Sequence, residues 1–288
     1  MKNNKYVVPP KTKIKLADFP PDDTGPFKNK EAAAQKLADD IAKLPELQAR
    51  LYAQDNYALL IILQGIDAAG KDGTVKHVMS GVNPTGCQVT SFKSPTHEEL
   101  DHDYLWRHVK ALPARGMIGI FNRSYYEEVL VVRVHPELLE HEKLPKHLKP
   151  KELWERRYGE INDFEHFLVD NGVEILKFFL HLSKDEQKKR FLSRLEAEDK
   201  NWKYSEADVK ERAFWDDYQA AYEDMLNNTS TERAPWHVVP ADHKWFTRVV
   251  VADAVVNKLE EMDPRYPKVD EQRKEELAAA RKLLESEK

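Results

Sequence analysis

The apolar run Tyr57–Leu63 (YALLIIL) leads straight into Gly65-Ile66-Asp67-Ala68-Ala69-Gly70-Lys71-Asp72, and few folds accommodate that junction. A run of this length and composition fits a strand buried on both faces of a parallel sheet. The segment after it suits a helix, and the glycine-framed loop between them matches G-x-x-x-x-G-K with Asp72 where Ser or Thr usually stands. In a strand–loop–helix setting the loop N–H groups and the positive end of the helix converge on an anion, so Gly65, Ala68, Ala69, Gly70, Asp72, Gly73 and Thr74 form a candidate phosphate cradle. Lys71 supplies the cation that neutralises a transferring phosphoryl group. Carboxylates beside phosphates repel them unless a cation lies between, so Asp67 and Asp72 imply magnesium, with Asp67 the metal-binding and acceptor-positioning candidate. The plainer alternatives are a glycine turn with a solvated lysine and, for Asp72, a favourable charge in a first helical turn.

Further strands are expected at Cys87–Phe92, Met117–Phe121, Val173–Leu182 and Trp236–Val239, with helices between them. Periodicity predicts a helix over Asn29–Tyr52, and a Thr96/Glu99 capping box begins another that runs through Trp106. The fold class is therefore α/β, a P-loop NTPase-like, doubly wound parallel five-stranded sheet. Residues 1–28, with five prolines, read as an arm; residues 29–268 form the main domain; residues 269–288 form a charged helical tail. Between the fourth and fifth strands, residues 184–230 read as a helical lid of two helices, Lys184–Asp199 and Glu206–Asn227, capped by Ser183 and Ser205.

Two clusters complete the candidate site. Asn122 and Arg123 stand at the carboxyl end of the third strand, where open parallel sheets bind ligands, and Arg123 is expected to clamp a phosphate. Glu127 and Arg133 follow on the presumed helix, as phosphate-site residues or as members of an ion-pair network. The lid carries Lys189, Arg190 and Arg194 among other cations, including Lys200 and Lys203, placed to close over bound phosphates; for any single lysine a solvated charged face reads as well. Across the whole chain 45 basic residues oppose 50 acidic ones, a formal net charge of −5, so no global basic field advertises nucleic acid. A polyanionic ligand requires that the cations be gathered locally. The lone cysteine, Cys87, excludes an intramolecular disulfide, no Cys/His spacing suits zinc, and no stretch has the roughly 20 apolar residues of a membrane span. These features point to the cytoplasm and away from membranes.

The loop GIDAAGKDGT and the Asn122-Arg123-Ser124 motif resemble the family-2 polyphosphate kinases. So do Ser91-Phe92-Lys93, Tyr104-Leu105-Trp106-Arg107, Lys177-Phe178-Phe179-Leu180-His181 and Ala234-Pro235-Trp236 through Trp245-Phe246, and together these cover most of the chain. The resemblance implies a thymidylate kinase-like fold, Mg²⁺ or Mn²⁺ as cofactor, inorganic polyphosphate with AMP, ADP and ATP as ligands, and a homodimer or homotetramer. Asn122 stands where many members have Asp, and Glu127 where they have Asn. That combination resembles the class III branch, which phosphorylates both AMP and ADP. The rival readings are an ATP-dependent nucleotide kinase and a nucleotide-binding switch or scaffold, the latter without support from any guanine-recognition motif.

Overall fold

The computed structural model describes residues 4–145, 150–198, 201 and 206–287. Five parallel strands form one sheet: β1 (Ala58–Gln64), β2 (Cys87–Ser91), β3 (Ile118–Asn122), β4 (Val173–His181) and β5 (Trp236–Pro240), in the order β2-β3-β1-β4-β5. Each strand lies within a residue or two of its predicted span. β1 is central and every residue in it is buried. Its alternation splits the interior into two cores: Leu59, Ile61 and Leu63 face one, Leu60 and Ile62 the other.

On the first face lie α1 (Lys30–Gln54), α2 (Lys71–Val78) and α10 (Lys244–Met262), with Leu44, Leu51, Val249 and Val255 fully buried. The Asn29 side chain caps α1 by accepting from Ala32 N at 2.9 Å. On the second face lie the β3–β4 crossover helix α6 (Pro150–Asp170) and, in the insertion, α9 (Trp215–Thr229). The chain leaves β1 on one side, returns through β3 beside it, and crosses to β4 on the other, so the switch point of the sheet falls at the carboxyl end of β1.

Three local expectations are revised. Residues 97–109 form two single turns, α3 (His97–Leu100) and α4 (Trp106–Val109), because the Asp103 carboxylate accepts Leu105 N at 2.9 Å and offers the backbone a turn instead of a continued helix. The Thr96/Glu99 capping box is present. After Asn122 a 3₁₀ stretch, Tyr125–Val129, precedes the short α5 (Val131–Val134). The insertion expected as a lid comprises α7 (Lys184–Glu196), capped by Ser183 at 3.1 Å, then α8 (Glu206–Glu211) and a 3₁₀ turn at Arg212–Phe214 leading into α9. Ser205, Lys200, Lys203 and Asp199 lie outside the described residues.

The amino-terminal arm is part of the fold. Val8 N donates to Trp236 O at 2.8 Å along the open edge of β5, and the arm is held further by Ile14 N to Asn227 and Leu16 N to Glu223, each at 2.8 Å. Tyr6, Val8 and Leu16 are buried, so the arm shields an edge that would otherwise offer unpaired backbone groups. At the other end α11 (Glu271–Ser286) has no buried residue. Among the described residues no helix is long and apolar enough to cross a membrane.

Candidate active site

The phosphate loop is shaped by two glycines. Gly65 has φ 155°, and a Cβ there would stand 3.0 Å from Leu180 O and 3.1 Å from the Ala69 Cβ. Gly70 has φ 102° and is the amino-terminal flank of α2. Between them every loop carbonyl has a partner from within the protein. Lys71 Nζ donates to Gly65 O at 2.6 Å, Ala69 N to Ile66 O at 3.1 Å, and Gln187 Nε2 to Asp67 O at 2.9 Å. Arg190 Nη1 serves Ala68 O and Ala69 O at 2.9 and 3.1 Å, and Thr74 Oγ1 serves Gly70 O at 3.0 Å. With the carbonyls held outward, the loop presents N–H groups and the start of α2 toward the cleft, which is the arrangement an anion binds. Lys71 is almost wholly buried, and burial, reinforced by the Arg123 charge, pulls its pKa down to about 8.

Arg123 extends the β3–β1 ladder, its N–H donating to Leu63 O at 3.0 Å, yet its φ is +65°, a left-handed conformation that is costly for a bulky residue. The guanidinium spans two carboxylates, Asp67 at 2.5 Å and Glu127 at 3.0 Å, and its own pKa rises because of Glu127 first, then Asp67. Asn122 donates its amide to the Asp72 carboxylate at 2.7 Å across the cleft. A carboxylate at position 122 would set two anions against each other there; the amide turns that contact into a hydrogen bond.

A buried charge network anchors this strained segment from below. Tyr125 and Tyr126 hydroxyls donate to Glu165 Oε1 at 2.9 and 2.7 Å, and Lys177 Nζ donates to Glu165 Oε2 at 2.6 Å and Thr229 O at 2.7 Å. Burial lowers the Lys177 pKa and raises those of both tyrosines. Removing one member strands the others, so Glu165→Leu is expected to lower unfolding free energy by about 3–5 kcal/mol, with Lys177→Met added in the same chain restoring much of it. Urea denaturation of the two variants checks this.

Above the loop is a cleft of about 860 Å³ lined by eight Lys and Arg side chains against four carboxylates. The cations are Lys71, Lys93, Arg123, Lys189, Arg190, Arg194, Lys244 and Arg248, in a chain whose net charge is −5. Lys93, Lys244 and Arg248 were not among the sequence candidates, although the strand-end rule that selected Arg123 also marks Lys93 after β2 and the start of α10 after β5. Two expectations change. Arg133 lines neither this cleft nor its neighbour and instead pairs with Tyr158 and Asp224. Arg190 lines the cleft, but its donors go to Glu186, Ala68 O, Ala69 O, Ala241 O and Asp242 O, so it fastens the lid to the loop. Among the described residues of the insertion, Arg194, 3.4 Å from Asp208, and the exposed Lys189 also line the cleft.

A second cavity of about 520 Å³ adjoins the first and shares Phe92, Lys93 and Arg123 with it. Its wall is more apolar and includes Tyr104, Tyr125, Val131 and Leu138 beside Arg107 and Glu127. Ligands in the two cavities would therefore be neighbours across Phe92, Lys93 and Arg123. Among the described residues no three His, Cys, Asp or Glu side chains converge as a metal cage. Asp67 and Asp72 beside the loop instead match how Mg²⁺ is held in phosphoryl-transfer sites, by one or two carboxylates completed by substrate phosphates and water.

The family model for Polyphosphate kinase 2 matches residues 27–267. The chain belongs to that family. It is 47% identical over 285 residues to an ADP-polyphosphate phosphotransferase of Rhodopseudomonas palustris, covering 99% of each chain. It is 46% identical over 264 residues to an AMP/ADP-polyphosphate phosphotransferase of Meiothermus ruber, covering 91% of this chain and 95% of the relative. Among solved structures, Polyphosphate Kinase 2 from Arthrobacter aurescens superposes with a TM-score of 0.88 at 42% identity, covering 99% of this chain and 96% of that one. Membership in the Polyphosphate kinase 2 family agrees with a glycine loop, a strand-end arginine and a cationic cleft that meet at one sheet edge.

Proposed function

We propose that the protein transfers phosphoryl groups from inorganic polyphosphate to AMP and ADP, forming ADP and ATP reversibly, with Mg²⁺ or Mn²⁺. The observation that carries this reading is the concentration of eight cations around the phosphate loop of a net-acidic chain. A polyphosphate donor is a run of negative charge with no base or sugar to recognise, which suits a cleft whose lining is chiefly charged. The neighbouring cavity, with its aromatic and aliphatic wall, suits the nucleoside of an acceptor. The names of the relatives support polyphosphate as donor, and they differ in acceptor: one names ADP alone, the other AMP and ADP.

In this reading an oxygen of the acceptor's terminal phosphate forms a bond to the end phosphorus of the polyphosphate, while the anhydride P–O bond behind it breaks and the shortened chain keeps that electron pair. The attacking phosphate is already ionised near neutral pH, so positioning and charge neutralisation dominate over base catalysis. Lys71 and the loop N–H groups hold the transferring group, Arg123 holds phosphate between the two cavities, and Lys189 and Arg194 bring lid charge to the donor. Asp67, with Asp72 beside it, would hold a magnesium ion, which would supply neutralisation of the phosphate charge. The protein is assigned to the cytoplasm, with its nucleotide substrates, and to a homodimer or homotetramer, for which the exposed Leu277, Leu283 and Leu284 of α11 offer a contact face.

The deciding experiment is product analysis with purified protein, Mg²⁺ and polyphosphate, offering AMP or ADP separately and omitting ATP. ADP and then ATP from AMP, and ATP from ADP, are the expected products. ATP from ADP with AMP untouched would restrict the acceptor; no product with polyphosphate but turnover with ATP and AMP would make the protein an ordinary nucleotide kinase.

A further inference from the structure

Gln187 lines neither cavity, and at 1% exposure it is among the most completely buried polar side chains of the described residues. Both ends of its amide are used. Nε2 donates to the Asp67 carbonyl at 2.9 Å, and Oε1 accepts from Arg212 Nη1 at 2.6 Å. Arg212 comes from the 3₁₀ turn that joins α8 to α9, and the same Nη1 reaches Lys184 O at 3.2 Å. A continuous path therefore runs from the α8–α9 junction of the lid, through one buried amide on α7, to the backbone of the phosphate loop. The Asp67 residue is gripped from both sides: its carbonyl by Gln187, its carboxylate by Arg123 at 2.5 Å.

The neighbouring anchor works differently. Arg190 fixes the Ala68 and Ala69 carbonyls to those of Ala241 and Asp242, the two residues that follow β5. Gln187 ties Asp67 to a segment that belongs to the lid alone. A positive charge on the amide oxygen polarises the group and strengthens its N–H as a donor, so the bond to Asp67 depends on Arg212 being docked.

We infer that Gln187 is a positioning residue that couples the docking of Arg212 to the orientation of the Asp67 peptide, so that the lid sets the geometry of the phosphate loop from behind. This rests on the reading of Asp67 and the loop as the phosphoryl-transfer site. A lid residue that merely closes over substrate changes how tightly substrate is held; a residue that aims the loop changes the chemical step. Misplacement of a reacting group by an ångström costs on the order of a hundredfold in rate.

The test compares Gln187→Met, Arg212→Met and the double variant in steady-state ADP phosphorylation, together with amide hydrogen exchange of the 65–72 segment. Gln187→Met, which keeps the volume and loses both bonds, is expected to lower kcat by about a hundredfold while KM for ADP and polyphosphate moves less than about threefold. Arg212→Met is expected to lower kcat in the same way, and the double variant to be no worse than Gln187→Met by more than about threefold. Exchange at residues 65–72 should rise in all three while that of β1 stays unchanged. Unchanged kcat in Gln187→Met, losses that multiply in the double variant, or unchanged loop exchange would each overturn the inference. If Gln187→Met does not fold, Arg212→Met decides alone, and full kcat there overturns it. A wild-type protein that used ATP and not polyphosphate as donor would sink the donor assignment, whereas the variant-to-wild-type kcat ratio with ATP and the exchange data would still decide the role of Gln187.

Discussion

Lys71→Met lowers polyphosphate-dependent kcat/KM by at least about a thousandfold, the scale expected when a preorganised charge is removed from a phosphoryl-transfer site. The loss should come without unfolding. The Lys71 ammonium is almost wholly buried and its pKa is pulled down to about 8, so the folded state carries that charge at a cost that methionine removes. The thermal midpoint of the variant is therefore expected at or above that of the wild type. The same shift has a kinetic signature. In the free enzyme the ammonium is present below pH about 8 and is lost as the pH rises through that value, so kcat/KM should fall on the alkaline side with a limb near pH 8. In kcat the limb should lie higher, because bound phosphate charge favours the protonated lysine. Steady-state kinetics of the wild type from pH 6 to about 10, beside the variant at neutral pH, measure both effects; retention of a tenth of wild-type activity by Lys71→Met would remove Lys71 from the transfer step.

Arg190→Met should damage stability and rate together. One guanidinium serves four carbonyls and Glu186 and ties the phosphate loop, α7 and the end of β5 into one unit. Hydrogen bonds to a charged donor contribute about 1.5–3 kcal/mol each, and the carbonyls left behind are buried, but relaxation of the loop recovers part of the loss. A net destabilisation of about 4 kcal/mol is expected in urea unfolding, at the upper end for single substitutions. Because the loop loses its outward pull at Ala68 and Ala69, kcat should fall by about a hundredfold. Arg190→Lys should recover little of either quantity, since three donors on a point charge cannot span carbonyls on two separate segments. Full activity in a stable Arg190→Met protein would mean that the loop holds its shape unaided.

The contrast between these two residues shows where a sequence stops being informative. Both are cations in or near recognisable motifs, and both read as phosphate ligands from their position. Lys71 is placed by covalent neighbours: it follows Gly70 and begins α2, so its position at the loop can be foreseen from a few adjacent residues. Arg190 lies more than a hundred residues from the Ala68 and Ala69 carbonyls and about fifty from those of Ala241 and Asp242, and only the parallel pairing of β1 with β4 and β4 with β5 brings the three segments together. Arg133 lines neither cavity for a related reason: a 3₁₀ stretch and a short α5 stand where a helix is expected, and the side chain pairs with Tyr158 and Asp224.

By itself the sequence determined the sheet, through apolar runs of strand length in Tyr57–Leu63 and Val173–Leu182, and the phosphate loop, through Gly65, Gly70 and Lys71. These are properties of periodicity and local backbone freedom, which act over a few residues. The tertiary structure decided the rest: that Lys93, Lys244 and Arg248 join the loop cations in one cleft, that Asn122 hydrogen-bonds Asp72 across it, and that Gln187 and Arg190 hold the loop from behind. Those roles depend on hydrogen bonds and fields between segments far apart in the chain, and strand order sets which segments meet.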